Sequence, residues 1–119
     1  MTCDTSAYWA ACRRGELVVQ RCTACDRRVH LPEAECPRCG GELVFEPVSG
    51  AGVVHTYTVV HRSFAPGYRG REPYVLAWVD LPEGARVFGQ VVECAPEEVR
   101  IGMPVRVTFV DDLPHWRPA

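Results

Sequence analysis

The chain has 119 residues, of which 47% are hydrophobic and 24% charged, with a formal net charge of −2. That length suits one ordinary domain or two very small ones. The charge balance supplies no basic field for nucleic acid and no apolar run reaches the length of a membrane span. Asp4 also stands where a signal peptide carries basic charge, so the expected setting is the cytoplasm, with neither nucleic acid nor membrane as partner.

Residues 5–14 predict a short amphipathic helix, with Thr5 or Ser6 placed to cap it and Gly15 to end it. Tyr8, Trp9, Ala11 and Cys12 give it an apolar side, and two bulky aromatics on so short a helix call for a cover, either the rest of the chain or a partner protein. Residues 16–21 read as a strand entering Cys22-Thr23-Ala24-Cys25. Residues 27–31 read as a second strand leaving it, stopped by Pro32. Ten residues separate the first C-x-x-C pair from a second, Cys36-Pro37-Arg38-Cys39. In each pair the spacing lets two thiolates converge on one ion while N–H groups of the turn point at the sulfurs. Together the pairs complete the tetrahedral S₄ set that structural zinc prefers, a closed shell with no open position for substrate. Pro37 and Gly40-Gly41 suit the tight turn and positive φ of such a knuckle. His30 lies inside this ribbon and is expected to face outward into solvent, since four cysteines already fill the shell. Seven cysteines are an odd count, which argues against a disulfide framework, and Cys3, Cys12 and Cys94 are expected to be buried or idle thiols.

Residues 42–48 form a third strand by alternation, and the composition then changes. From Gly50 onward β-branched residues dominate. Residues 53–62, 74–81, 85–92 and 104–110 predict strands, with a short helical turn at 95–100 behind Pro96. The end of the chain, rich in proline and charge, is expected to be partly loose. Four or five strands in so short a stretch suggest a small closed barrel, because closure removes exposed edges.

The ordered motifs resemble a known family. Its carriers here are Tyr8-Trp9, the run from Leu17 to Cys25, Cys36-Pro37-Arg38-Cys39-Gly40, the run from Val48 to Arg62, Pro73-Tyr74-Val75-Leu76-Ala77-Trp78-Val79, and Ile101-Gly102-Met103-Pro104-Val105. They resemble the acyl-CoA-associated zinc-ribbon/OB-fold proteins, small partner subunits of thiolase-superfamily enzymes that include aldolases shortening steroid side chains held as CoA thioesters. The resemblance covers nearly the whole chain. It implies a mainly β fold: a helical lead-in over 1–15, a rubredoxin-like zinc ribbon over 16–47, an OB-fold barrel over 48–111 and a tail over 112–119. It further implies a hetero-oligomer in which the thiolase-like partner carries the chemistry on an acyl-CoA substrate.

The chain's own residues offer no convincing catalytic set, and none is assigned. Neither Ser49 nor Ser63 sits in a G-x-S-x-G elbow, and the absence of lysine removes both the phosphate-loop lysine and Schiff-base chemistry. His55 and His61, six residues apart on one strand, are expected on one face with Val53, Tyr57 and Val59. They stand with Asp80 and Glu93 as the only plausible acid/base groups of a small stand-alone acyl-CoA enzyme, and the alternative is hydrogen bonding at a barrel rim. The segment 62–72 offers Arg62, Arg69 and Arg71 with Phe64 and Tyr68. Guanidinium forks pair with phosphates and aromatic rings stack on adenine, so these five are the candidate CoA contacts, against partner contact or a plain solvated loop. Arg27, Arg28 and Arg38 make a local basic patch, the basis of an alternative reading as a single-strand-binding ribbon/OB module. The function expected is a non-catalytic accessory subunit of a thiolase, synthase or retro-aldolase acting on acyl-CoA, holding Zn²⁺ through Cys22, Cys25, Cys36 and Cys39 and sharing the CoA thioester with its partner.

Overall fold

Two sheets arise from two stretches of alternation. The computed structural model describes residues 5–30, 32–61 and 73–119. Helix α1 (Ser6–Arg13) leads into a three-stranded antiparallel sheet in which β1 (Val18–Cys22) is flanked by β2 (Arg28–Val29) and β3 (Leu43–Pro47). The second sheet comprises β4 (Ala51–Val60), β5 (Tyr74–Asp80), β6 (Arg86–Val91), β7 (Pro104–Val110) and β8 (Leu113–Pro118), closed in the order β4-β5-β6-β8-β7. All its neighbours are antiparallel except β6 and β8, which run parallel through Gln90↔His115 and Val91↔Trp116. This is the five-stranded barrel that the sequence led us to expect, with one strand more than its four strand-like runs. A 3₁₀ turn (Pro96–Glu98) connects β6 to β7.

Helix α1 begins beside Thr5, which holds the cap position without a side-chain capping bond. It ends where Gly15 takes φ +72° and the Glu16 N–H donates to the Ala11 carbonyl. Tyr8, Ala11 and Cys12 are buried against Val18, whereas Trp9 stays 41% exposed. The two aromatics therefore divide, one covered by the chain itself and one left outward. Strand β1 alternates in the opposite sense: Leu17, just before it, and Val19 join the barrel core. On β5 the inward residues are Val75, Ala77 and Val79, on β6 Val87 and Val91, and each of the valine side chains contributes about 1.5–3 kcal/mol by burial.

Three expectations are corrected. The chain's end is not loose: β8 pairs with β7 along its whole length, and Trp116 is fully buried in the core. Two prolines disguise it, but Pro114 lies near one end of the strand and Pro118 at the other, opposite Phe109 and Val105, where a missing N–H is tolerated. His55 and His61 do not share a face. The β4–β5 register slips between Val54 and Thr56, so a bulge at His55 inverts the alternation. Beyond it Tyr57 and Val59 stand opposite the inward Ala77 and Val75. His30 does not face outward into free solvent but is half-buried between the helix and the barrel, as described below.

Candidate functional site

Each C-x-x-C pair builds the same local device. In the first, the Asp26 N–H donates to the Cys22 carbonyl at 3.0 Å; in the second, the Gly40 N–H donates to the Cys36 carbonyl at 2.8 Å. Closing both turns demands a left-handed residue straight after the second cysteine, and Asp26 (φ 65°) and Gly40 (φ 74°) fill that place. Aspartate tolerates this conformation better than most side chains. The Cys25 N–H also donates to the Cys22 sulfur at 3.4 Å.

The ribbon sheet sets the two knuckles face to face. Cys22 ends β1 opposite Leu43 of β3. Both ends of the buried Gln20 amide are satisfied: its Nε2 donates to the Glu33 carbonyl at 3.0 Å and its Oε1 accepts from the Glu33 N–H at 2.8 Å, which ties the inter-knuckle loop to β1. On the outer side Glu46 accepts from Arg21 at 3.0 Å and forms an ion pair with Arg28 at 2.8 Å, linking all three strands.

The result is a cluster in which the four sulfurs of Cys22, Cys25, Cys36 and Cys39 lie within 4.8 Å of one another. Cys22 and Cys39 are 3.5 Å apart, Cys25 and Cys36 3.7 Å. Tetrahedral zinc–thiolate bonds of ~2.3 Å place sulfurs about 3.8 Å apart, so the set fits zinc without rearrangement. Gly41 makes the approach possible: a Cβ there would lie 2.8 Å from the Cys22 sulfur and 2.9 Å from the Ala24 Cβ. The electrostatics fit as well. The Cys25 N–H chiefly pulls the Cys22 thiol down to about 6, and the Cys39 N–H lowers Cys36. The Gly41 N–H also acts to lower Cys39, but the neighbouring thiols outweigh it and push Cys39 up to about 12. Four thiolates at this spacing therefore coexist only around a cation.

The other expected residues are dispersed. Arg62, Phe64, Tyr68, Arg69 and Arg71 lie outside the described residues. At the bulge, His55 Nδ1 lies 3.3 Å from Asp80 Oδ2, and Asp80 Oδ1 accepts from Arg86 Nε at 2.7 Å. Both partners of each pair are substantially exposed, so these contacts contribute little to stability. His61 lies just past β4, and Glu93 follows β6 with φ 58°. Arg28 is committed to Asp26 and Glu46. Cys12 is buried and Cys94 half-buried, both as free thiols, and Cys3 lies outside the described residues.

His30 reaches from the end of β2 to the barrel. Its ring meets Tyr8 and Trp78 edge-on, each at 6.3 Å, and its Nδ1 is buried without a hydrogen-bond partner. Burial pushes its pKa down to about 4. Trp78 in turn lies 5.1 Å from Phe88 on β6. Sequence reasoning missed this junction because it joins the helix, the ribbon and the barrel, which no local pattern links.

A sulfur-ligated ribbon followed by a five-stranded OB-type barrel defines the class: a two-module β protein whose metal set is structural in kind. The chain belongs to the ChsH2/DUF35 family. Residues 9–45 match the ChsH2 rubredoxin-like zinc ribbon domain and residues 45–110 the ChsH2 C-terminal OB-fold domain. It is 45% identical over 97 residues to a DUF35 domain-containing scaffold protein of Methanocaldococcus jannaschii, covering 78% of this chain and 67% of that one. Over 114 residues it is 35% identical to the 3-oxo-4,17-pregnadiene-20-carboxyl-CoA hydratase alpha subunit of Mycobacterium tuberculosis. That match covers 95% of this chain, which spans only 35% of the relative's length. Among solved structures it matches the Ltp2-ChsH2(DUF35) aldolase with a TM-score of 0.85 and 35% identity, over 99% of this chain and 96% of that one.

Proposed function

We propose that this chain is a non-catalytic accessory subunit of a thiolase-like enzyme acting on acyl-CoA thioesters. The observation that carries this reading is the match to the chain solved as part of an aldolase, over 99% of this chain and 96% of that one. The likeness to a scaffold protein and to a CoA-thioester hydratase alpha subunit supports the same reading from sequence. Zn²⁺ held by Cys22, Cys25, Cys36 and Cys39 supplies structural bonds, since four thiolates leave no ligand position for substrate. The proposed CoA contacts are Arg62, Arg69 and Arg71 for the phosphates and Phe64 and Tyr68 for the adenine, since guanidinium groups pair with phosphates and aromatic rings stack on adenine. The bond made or broken in the acyl group belongs to the partner.

Co-expression of the tagged chain with a candidate thiolase-like partner tests this reading. A stoichiometric complex is expected on gel filtration, with turnover of an enoyl- or β-hydroxyacyl-CoA appearing only when both proteins are present. A chain that elutes alone and zinc-loaded, with the partner fully active without it, would overturn the accessory role.

A further inference from the structure

The outer face of β5 and β6 is graded in polarity. Its cross-strand pairs run from Asp80↔Arg86 through Trp78↔Phe88 to Leu76↔Gln90. At the Leu76 end the face borders a cavity of about 320 Å³ walled by Tyr8, Trp9, Pro32, Leu76, Phe88 and Leu113. At the Asp80 end lies a cleft of about 510 Å³ walled by Arg27, Arg28, Glu33, Trp78, Asp80 and Arg86. The two are contiguous: His30 lines both, and Phe88 of the first stands against Trp78 of the second. An apolar groove thus runs into a charged cleft beneath the ribbon.

The charges in the cleft are unequally engaged. Asp80 holds Arg86, and Asp26 and Glu46 hold Arg28. Arg27, on the approach to β2, and Glu33 make no ion pair among the described residues, and three arginines of the wall face two carboxylates, which leaves the cleft positive on balance. His30 adds a second polar group at the junction. Its Nδ1 is buried without a hydrogen-bond partner. Its depressed pKa keeps the ring neutral, so the junction accepts an apolar group beside it.

We propose that groove and cleft together bind a small amphiphilic anion, its chain or ring system in the groove and its carboxylate or phosphate at Arg27. Charge complementarity selects this occupant over a purely apolar one, and a groove near the lower size limit of ligand pockets selects a compact body. The anionic head has three possible sources: a free carboxylate, a phosphate ester or an acyl-CoA. Only the last rests on the function proposed above.

Calorimetric titration of the zinc-loaded chain with hexanoate, octanoate, octyl phosphate, octanoyl-CoA and octanol tests the site, with Trp9 and Trp78 as fluorescent reporters. Octanoate and octyl phosphate are expected to bind, with affinity rising about fourfold per methylene from hexanoate to octanoate. Octanol should bind more weakly. Arg27→Glu should weaken octanoate about threefold to fivefold and leave octanol unchanged. Leu76→Trp should abolish binding of every probe at unchanged zinc content and Tm, because it fills the groove from the barrel wall. Octanoyl-CoA binding more tightly than octanoate assigns the thioester as the source; binding of the free acid alone assigns a carboxylate. Octanol binding as tightly as octanoate, indifference to Arg27→Glu, or no probe binding at all would each overturn the proposal. A groove that binds no probe, yet whose Leu76→Trp variant fails to assemble with the thiolase-like protein, seats the partner instead and also overturns it. Assembly is measured separately by co-purification, so absence of probe binding by the native chain with assembly intact sinks this site alone.

Discussion

Gly41 shows how a single residue without a side chain decides whether the metal set exists. Its Cβ position lies inside the contact distance of both the Cys22 sulfur and the Ala24 Cβ, and 3.3 Å from the Cys39 sulfur. Neither sulfur has room to retreat, because each knuckle is closed by a backbone hydrogen bond to its left-handed residue. Gly41→Ala is therefore expected to weaken zinc about tenfold or more, as disturbance of residues supporting a metal typically does. Competition against a chromophoric chelator measures it, and an affinity equal to that of the native chain would remove Gly41 from the site. Gly40 next to it acts through φ and Gly41 through space, a difference that the Gly-Gly pair in the sequence hides. The four cysteines were legible because ligand spacing is a local property. His30 was misread for the opposite reason: its partial burial is made by Tyr8 from before the ribbon and Trp78 from after it.

Strands follow the same division. Those that alternate over a buried and an open face, such as β5 with its inward Val75, Ala77 and Val79, could be read directly from their residues. Strand β4 was legible in extent, but the slip at His55 was not, since a bulge changes the side-chain alternation without changing composition. Strand β8 was invisible because its prolines and its flanking Asp111-Asp112 resemble a terminal loop. Those two aspartates instead take φ 52° and 62°, the geometry of a tight hairpin turn whose twist suits the strands it joins. The strand earns its place through Trp116, which has no exposed surface and lies against Gly89 of β6, whose missing side chain makes room for the ring. Trp116→Ala should destabilise the chain by about 3–5 kcal/mol, the range for deleting a large buried aromatic. Urea denaturation followed by far-UV circular dichroism reads it out. A loss below about 1 kcal/mol would mean that β8 is not needed to close the barrel.

At the scale of the whole molecule the ribbon and barrel share their packing. Strand β1 belongs to both modules: Cys22 and Gln20 organise the metal loop, Leu17 and Val19 fill the barrel core, and Val18 backs the helix. The Val48 N–H donates to the Leu17 carbonyl, tying the exit from β3 to the same segment. Family models divide the sequence at residue 45, but the apolar core crosses that line. Zinc released from a structural site withdraws folding free energy, amounting to about 10–16 kcal/mol of binding in isolated zinc-finger peptides. Here the withdrawal should reach the barrel through Leu17 and Val19. Chelation of the metal is expected to lower Tm in one transition, with amide protection at Val75 and Val105 falling in step with that at Val19 when hydrogen exchange is followed residue by residue. Proportional loss at all three positions means that the ribbon is part of the barrel's fold and that metal supply controls the whole chain. Loss at Val19 with full protection kept at Val75 and Val105 would mean that the barrel stands alone and the ribbon is an appended module.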